Sequence, residues 1–383
     1  LDLFVNNYIR WSKEIDLAQL FTLDGISRAY GPPVSFEGAF PYVYHNDGDG
    51  KFSDVSEQMG VQVKNPATNV PVAKSLGIAP IDLDADGWMD LVVANDTVQN
   101  FVFHNMEGQR FEEIGARAGV AFDSGGNARG AMGIDAACFR NDATVGLVIG
   151  NFANEMTALY VSMGGALQFL DASLATGLGP PTRIELTFAV IFVDVDLDGR
   201  LDILAVNGHL EDDISKVQQS QHYEQPPQLF WNAGPSHGSE FVRMSVENCG
   251  EDLHRPMVGR GASYADLDGD GDLDLLLTAS GQAPRLLRND QQLGHHWIRI
   301  HLKGARCQRD ANGARIELHV GDRVLPRQVT PTRGYLSQSE LPVTFGLGQD
   351  DRVQRAVIHW PDGSTQELED LQVDRLHVIE QPR

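Results

Sequence analysis

Short apolar runs recur along the chain up to about Asn289, each broken by Gly, Asn or Asp. The clearest are Leu91-Val92-Val93-Ala94, Ile203-Leu204-Ala205-Val206 and Leu275-Leu276-Leu277. They are apolar at every position and partly β-branched, which predicts buried strands. A second pattern lies between them. Tyr44-His45-Asn46-Asp47-Gly48-Asp49-Gly50-Lys51-Phe52 is followed by Val55 and Gly60-Val61, and Phe103-His104-Asn105 through Phe111 by Ile114 and Gly119-Val120. Weaker copies start at Leu159, Leu229 and Leu286. Each predicts a hairpin, strand, Gly-rich turn, strand.

Three of the apolar runs are entered from the same acidic loop: DLDADGWMD, DVDLDGRLD and DLDGDGDLD. Asp stands at positions 1, 3, 5 and 9 and Gly at position 6 of each. The first loop contains Asp82, Asp84, Asp86 and Asp90; the second Asp194, Asp196, Asp198 and Asp202; the third Asp266, Asp268, Asp270 and Asp274. So many carboxylates on one short loop repel unless a cation lies between them. All-oxygen ligands at odd spacing around a glycine turn suit a hard ion, Ca²⁺ above all. Position 7, occupied by Trp88, Arg200 and Asp272, can add a backbone carbonyl whatever its side chain. An EF-hand would need a bidentate Glu at position 12 and a helix after the loop. Position 12 is Val93, Ala205 and Leu277, within a strand pattern, so the fourth Asp is expected to close the site. The plainer alternative for each loop is a solvated acidic turn with no metal.

The spacing is regular. Asp82 and Asp194 lie 112 positions apart, twice 56, and the midpoint is Cys138. There Gly133-Ile134 repeats Gly77-Ile78, but Cys138, Arg140, Asp142 and Gly146 replace the acids. This unit is read as a repeat whose metal site has decayed. From Asp194 to Asp266 is 72 positions, the excess being a polar insertion at 212–227. Such a period of short strands predicts an all-β fold, a β-propeller with one four-stranded sheet per blade. Five units are visible, the first cut short. Leu1-Asp2-Leu3-Phe4-Val5 matches the tail of the acidic motif, with Asp2 in the place of Asp90, so the chain is expected to begin inside a repeat. An upstream segment, with any targeting signal, would precede it.

After Asn289 the acidic loops stop and alternating strands begin, at 297–302, 314–320, 324–329, 343–347, 353–360 and 376–379. This divides the chain into propeller blades over 1–292 and a small β-sandwich or barrel-like domain over 293–383.

Charge narrows the partners. The 383 residues carry a formal net charge of −23, which three bound Ca²⁺ ions would bring to −17. So acidic a chain is a poor match for nucleic acid or an anionic membrane. No apolar run is long enough for a transmembrane helix. Cys138, Cys249 and Cys307 form no metal or haem motif, and either one bridge or free thiols would fit. Calcium loops of this type fill where the ion is plentiful, which places the protein in an extracellular, cell-surface or periplasmic setting.

The acidic loops and their strands resemble FG-GAP/VCBS repeats. Tyr30-Gly31-Pro32-Pro33, Phe36-Glu37-Gly38, Ala94-Asn95-Asp96, Ala131-Met132-Gly133, Val206-Asn207-Gly208-His209 and Gly259-Arg260-Gly261-Ala262 are similar to segments of the cartilage-acidic-protein-like family. The tail resembles an ASPIC/UnbV domain through His296-Trp297-Ile298-Arg299-Ile300, Arg333-Gly334-Tyr335-Leu336-Ser337-Gln338-Ser339, Phe345-Gly346-Leu347-Gly348 and Trp360-Pro361-Asp362-Gly363. The resemblance implies a secreted or surface propeller of about seven blades, with one or two blades before Leu1. It implies Ca²⁺ on blade loops and a role in adhesion or scaffolding, and it brings no catalytic triad.

Three functional readings are open. The first is a non-enzymatic Ca²⁺-stabilised module that binds a protein or a glycan. The second is an enzyme acting on polysaccharide across the propeller face. Its candidate residues, also the candidates for ligand contact, are His209, Glu211, Asp212, Arg260 and Arg333, and no GxSxG, HExxH or phosphate loop supports it. The bland account is that these side chains fix loops. The third is a subunit of a larger surface assembly docked through the C-terminal domain, where an exposed edge strand could extend a partner's sheet.

Overall fold

A computed structural model describes residues 1–164 and 166–383. The fold is all-β. Five antiparallel sheets succeed one another along the chain. The first comprises Leu3–Val5, Tyr42–Gly48 and Lys51–Asp54, and the second Ser75–Ile81, Asp90–Asn95, Phe101–Met106 and Arg110–Glu113. The third comprises Ala131–Cys138, Val145–Asn151, Ala158–Met163 and Ala166–Asp171, and the fourth Thr187–Val193, Asp202–Asn207, Gln228–Asn232 and Phe241–Arg243. The fifth has three strands, Gly259–Ala265, Asp274–Ala279 and Arg285–Leu287. Strands pair in sequence order within each sheet, and the first strands of sheets two to five lie side by side. This is the blade arrangement of a β-propeller.

The continuous apolar runs now have a cause. The second, third and fourth sheets are covered on both faces by their neighbours, so alternate residues of one strand enter different cores. Val92 and Ala94 pack with Leu147 and Ile149 of the third sheet, whereas Val93 packs with Val43 of the first. Ile203 and Ala205 face the third sheet with Val148, and Leu204 and Val206 face the fifth with Leu275 and Leu277. The repeated Gly77 and Gly133 sit where first strands approach most closely. A Cβ on Gly77 would lie 2.6 Å from the Met132 carbonyl oxygen.

The C-terminal part is a sandwich of two sheets. One contains Val343–Gly348, His296–Lys303 and Arg375–Glu380, the last two parallel. The other contains Arg323–Gln328, Arg315–Val320, Arg355–His359 and Thr365–Glu369. Ile298, Ile300, Ile316, Leu318, Phe345 and Ile358 fill the space between them. The edge strand Thr365–Glu369 has Leu368 as its single large apolar residue, which is why alternation did not reveal it.

A small hairpin of this part, Thr332–Arg333 and Ser337–Gln338, reaches into the propeller. Gly334 and Ile134 exchange both backbone hydrogen bonds, at 2.9 and 3.2 Å. The three cysteines are free. Among the described residues no helix is long and apolar enough to cross a membrane.

Candidate metal centres

Each acidic loop leaves the first strand of its sheet and enters the second. The turn glycines Gly87, Gly199 and Gly271 have φ of +90°, +94° and +99°, a region closed to most side chains. They bend the chain back so that loop amides face the carboxylates. Gly87 N–H donates to Asp82 at 3.0 Å and Gly199 N–H to Asp194 at 3.0 Å, while Gly269 N–H donates to Asp266 at 2.7 Å.

The loops gather oxygens as their spacing predicts. In each of the trios Asp82/Asp84/Asp86, Asp194/Asp196/Asp202 and Asp266/Asp268/Asp270, one oxygen per residue lies within 4.8 Å of the others. Buried oxygens with no hydrogen-bond partner occur in every loop: Oδ1 of Asp84, of Asp194 and of Asp272. A hard, oxygen-seeking cation fits this donor set, which has neither thiolate nor amine in the trios. The structure therefore supports clusters able to hold a metal ion.

Position 9 anchors the loop. Asp90 accepts from Leu83 N–H at 3.0 Å and Asn105 N–H at 2.7 Å, with His104 Nδ1 at 3.0 Å. Asp202 accepts from Val195 and Asn232, and Asp274 from Leu267 and Asn289, in the same geometry. Each carboxylate pins the loop's start to the next hairpin. Asp2 repeats the contact, accepting from Asn46 N–H at 2.9 Å. His45 and His104 stand at equivalent hairpin positions for this reason.

Burial and crowding raise the second loop's carboxylates most. Asp194 and Asp202 are each 1% exposed. Burial first, then Asp198 and Asp196, pushes Asp194 up to about 8. Burial, then Asp196 and Asp194, raises Asp202 well above the carboxylate range. In the third loop burial and Asp270 push Asp272 up to about 8. At position 7, the Trp88 ring lies over Gly108. The Arg200 side chain donates to the Asn232 carbonyl at 2.9 Å and pairs with Asp198.

The repeat that lacks the acidic loop carries an arginine in its place. Arg140 forms a two-pronged pair with Glu240, at 2.5 and 2.6 Å.

Sequence reasoning missed the C-terminal side chains that cover the loops. Arg299 donates to Asp266 at 2.5 Å and also pairs with Glu340. Arg327 donates to the carbonyls of Gly199, at 2.6 Å, and Cys138, at 3.0 Å. The Trp297 ring covers Gly271. These partners are far apart in sequence, and no local pattern announces them.

The remaining candidates lie elsewhere. His209, Glu211 and Arg260 come together near the start of the first strands, away from the acidic loops. His209 is 4% exposed, its Nδ1 accepts from Glu211 N–H at 3.0 Å, and burial lowers its pKa to about 4. Arg260 donates to the carbonyls of Gly208, Gly259 and His209 and stacks 4.1 Å over the Phe188 ring. Glu211 accepts from Tyr30 N–H at 2.7 Å. Asp212 is exposed on the adjoining loop. Arg333 is not with them: it pairs at 3.0 Å with buried Asp135 beneath the hairpin.

Blades with acidic loops, covered by a β-sandwich, define a class of propeller protein, and relatives of known sequence make it more particular. Residues 304–383 match the family described as ASPIC and UnbV. Cartilage acidic protein 1 of Homo sapiens is 30% identical over 81% of this chain, and that of Xenopus tropicalis 26% over 81%. The chain is thus similar to cartilage acidic protein 1 over most of its length and to the ASPIC and UnbV family over residues 304–383. It spans 43% of the human protein's length and 44% of the frog protein's. Among solved structures, the V. cholerae biofilm matrix protein Bap1 is similar at a TM-score of 0.34 and 11% identity, over 88% of this chain and 56% of that one. That likeness is too weak to bear on function.

Proposed function

We propose that the chain is a Ca²⁺-stabilised, non-enzymatic binding module of the extracellular or cell-surface space, with a protein or glycan as partner. The observation that carries this reading is Asp194. It is a buried carboxylate with one unpartnered oxygen, set beside Asp196 and Asp202. Ca²⁺ suits the site better than Mg²⁺, because the irregular loop and mixed ligands tolerate its longer, flexible coordination. The candidate positions are Asp82, Asp84, Asp86, Asp90 and the Trp88 carbonyl; Asp194, Asp196, Asp198, Asp202 and the Arg200 carbonyl; and Asp266, Asp268, Asp270, Asp272 and Asp274. Sites of this kind load where Ca²⁺ is abundant, which supports the extracellular placement.

The enzymatic alternative is weaker. His209 is held neutral and its Nδ1 is already engaged, while the Arg260 guanidinium is spent on backbone carbonyls. As for docking to a larger assembly, the C-terminal face bearing Arg299 and Arg327 is turned onto the chain's own loops, so a partner subunit would meet another face.

The test is metal counting with thermal melting, in Ca²⁺ and in EGTA. The expected result is about three ions per chain and a melting temperature that falls on chelation. No bound Ca²⁺ and an unchanged melt would overturn the reading.

A further inference from the structure

The C-terminal sandwich grips the second acidic loop by its backbone. His295 Nδ1 donates to the Asp196 carbonyl at 2.6 Å, Gly348 N–H to that of Leu197 at 2.9 Å, and Arg327 to that of Gly199 at 2.6 Å. A Cβ on Gly199 would lie 2.7 Å from the Gly346 carbonyl oxygen, and Gly346 in turn faces the Asp194 carboxylate. The third loop is gripped by Arg299 on Asp266 and by the Trp297 ring on Gly271.

One particular loop shape is therefore held. That shape crowds Asp194, Asp196 and Asp202 together, two of them 1% exposed, with Asp194 Oδ1 unpartnered. Three carboxylates buried at such separations cannot all stay ionised without a cation between them. A divalent cation removes the repulsion and stabilises the shape that presents the three carbonyls.

We propose that cation occupancy of the second and third loops is a clasp: it keeps the C-terminal sandwich docked, and its loss withdraws the Thr332–Arg333 and Ser337–Gln338 hairpin from the propeller's first strands. The proposal rests on reading these loops as Ca²⁺ sites. Release would open the cleft of about 620 Å³ between the two parts, where Asp84, Asp194, Tyr264, Arg327, Thr330 and Arg333 face one another.

Hydrogen exchange of the full chain tests it, in Ca²⁺ and in EGTA, with bound metal counted in parallel. Peptides containing Ile134 and Gly334 report the bridge between the parts. Peptides containing Ile316 and Leu318 report the interior of the sandwich. In EGTA the bridge amides should exchange at least about tenfold faster while the interior amides stay protected. Asp194→Asn should reproduce that pattern in Ca²⁺. If metal binds and chelation leaves the bridge unchanged, the clasp is wrong and the Ca²⁺ reading stands. Equal acceleration at bridge and interior would also overturn it, because that is global unfolding. If no metal binds, the underlying reading fails and the clasp with it.

Discussion

Asp135 and Arg333 show how single side chains tie distant segments. Asp135 is buried on a first strand and also accepts from the Phe192 and Ala136 amides. Burial raises its pKa, and the Arg333 guanidinium, followed by those amides, opposes the shift. Removing only the cation strands the charge, so Arg333→Met should cost about 3–5 kcal/mol in urea unfolding. Asp135→Asn added to it should recover part of that loss. Additive effects of the two changes would show that the pair is not coupled. His209 gives a pH dependence with a fixed sign. Its ordinary value of 6.5 falls to about 4 in the fold. The unfolded chain therefore takes up a proton that the folded chain refuses. The contribution of neutral His209 is complete above pH 6.5 and is lost as pH falls toward 4. Asp96 works oppositely, since burial raises it to about 6. The stability difference between the native chain and His209→Gln isolates the histidine. From pH 7 to pH 4 it should shift by roughly 3 kcal/mol against the native chain.

At the scale of the element, the acidic loops share one design but not one environment, and two glycines separate the two contributions. Gly87 has φ +90° and open space around its Cβ direction, whereas Gly199 has φ +94° and the Gly346 carbonyl ahead of it. Gly87→Ala should lose about 1 kcal/mol, the strain of a left-handed alanine. Gly199→Ala should lose about 1–3 kcal/mol more, because a backbone across the interface must move. Equal melting shifts for the two variants would mean that the sandwich does not press on the second loop. The loops were legible in the sequence because Asp spacing and a positive-φ glycine are local requirements, visible within one repeat. The inner sheets were legible for a related reason: strands covered on both faces must be apolar throughout, as Leu91 to Ala94 and Ile203 to Val206 are. The position-9 role was only half legible. The amide of Asn105 or Asn232 that Asp90 or Asp202 accepts lies on the next hairpin, and the pattern names the acid without naming its donor. The grip of Arg299, Arg327 and His295 on the loops could not be read at all. Arg299 and Arg327 sit in ordinary alternating strands and His295 just before one, and only the fold brings them to the loops across 33 to 128 positions of chain.

Across the whole molecule, the charge distribution matters more than its sum. The net charge is −23, and thirteen aspartates stand in three loops at one end of the blades. Two kinds of repulsion coexist there. Asp84, Asp86, Asp268 and Asp270 are partly or fully exposed, so dissolved salt can reach them. Asp194, Asp202, Asp272 and Asp274 are buried, and salt cannot. Raising salt from 0.15 to 1 M shortens the screening length from about 8 Å to about 3 Å. In EGTA, the melting temperature should therefore rise with NaCl, as the exposed carboxylates are screened. It should level off below the value in Ca²⁺, because dissolved salt does not replace the coordination that the buried ones lose with the ion. With Ca²⁺ bound the same titration should be nearly flat, since the chief source of repulsion has been removed. The measurement is a set of melts across NaCl concentration, in each metal condition. A metal-free protein brought fully to the Ca²⁺ value by NaCl alone would mean that the loops need charge screening and not a bound ion. Parallel curves in the two conditions would mean that the repulsion lies elsewhere on the surface.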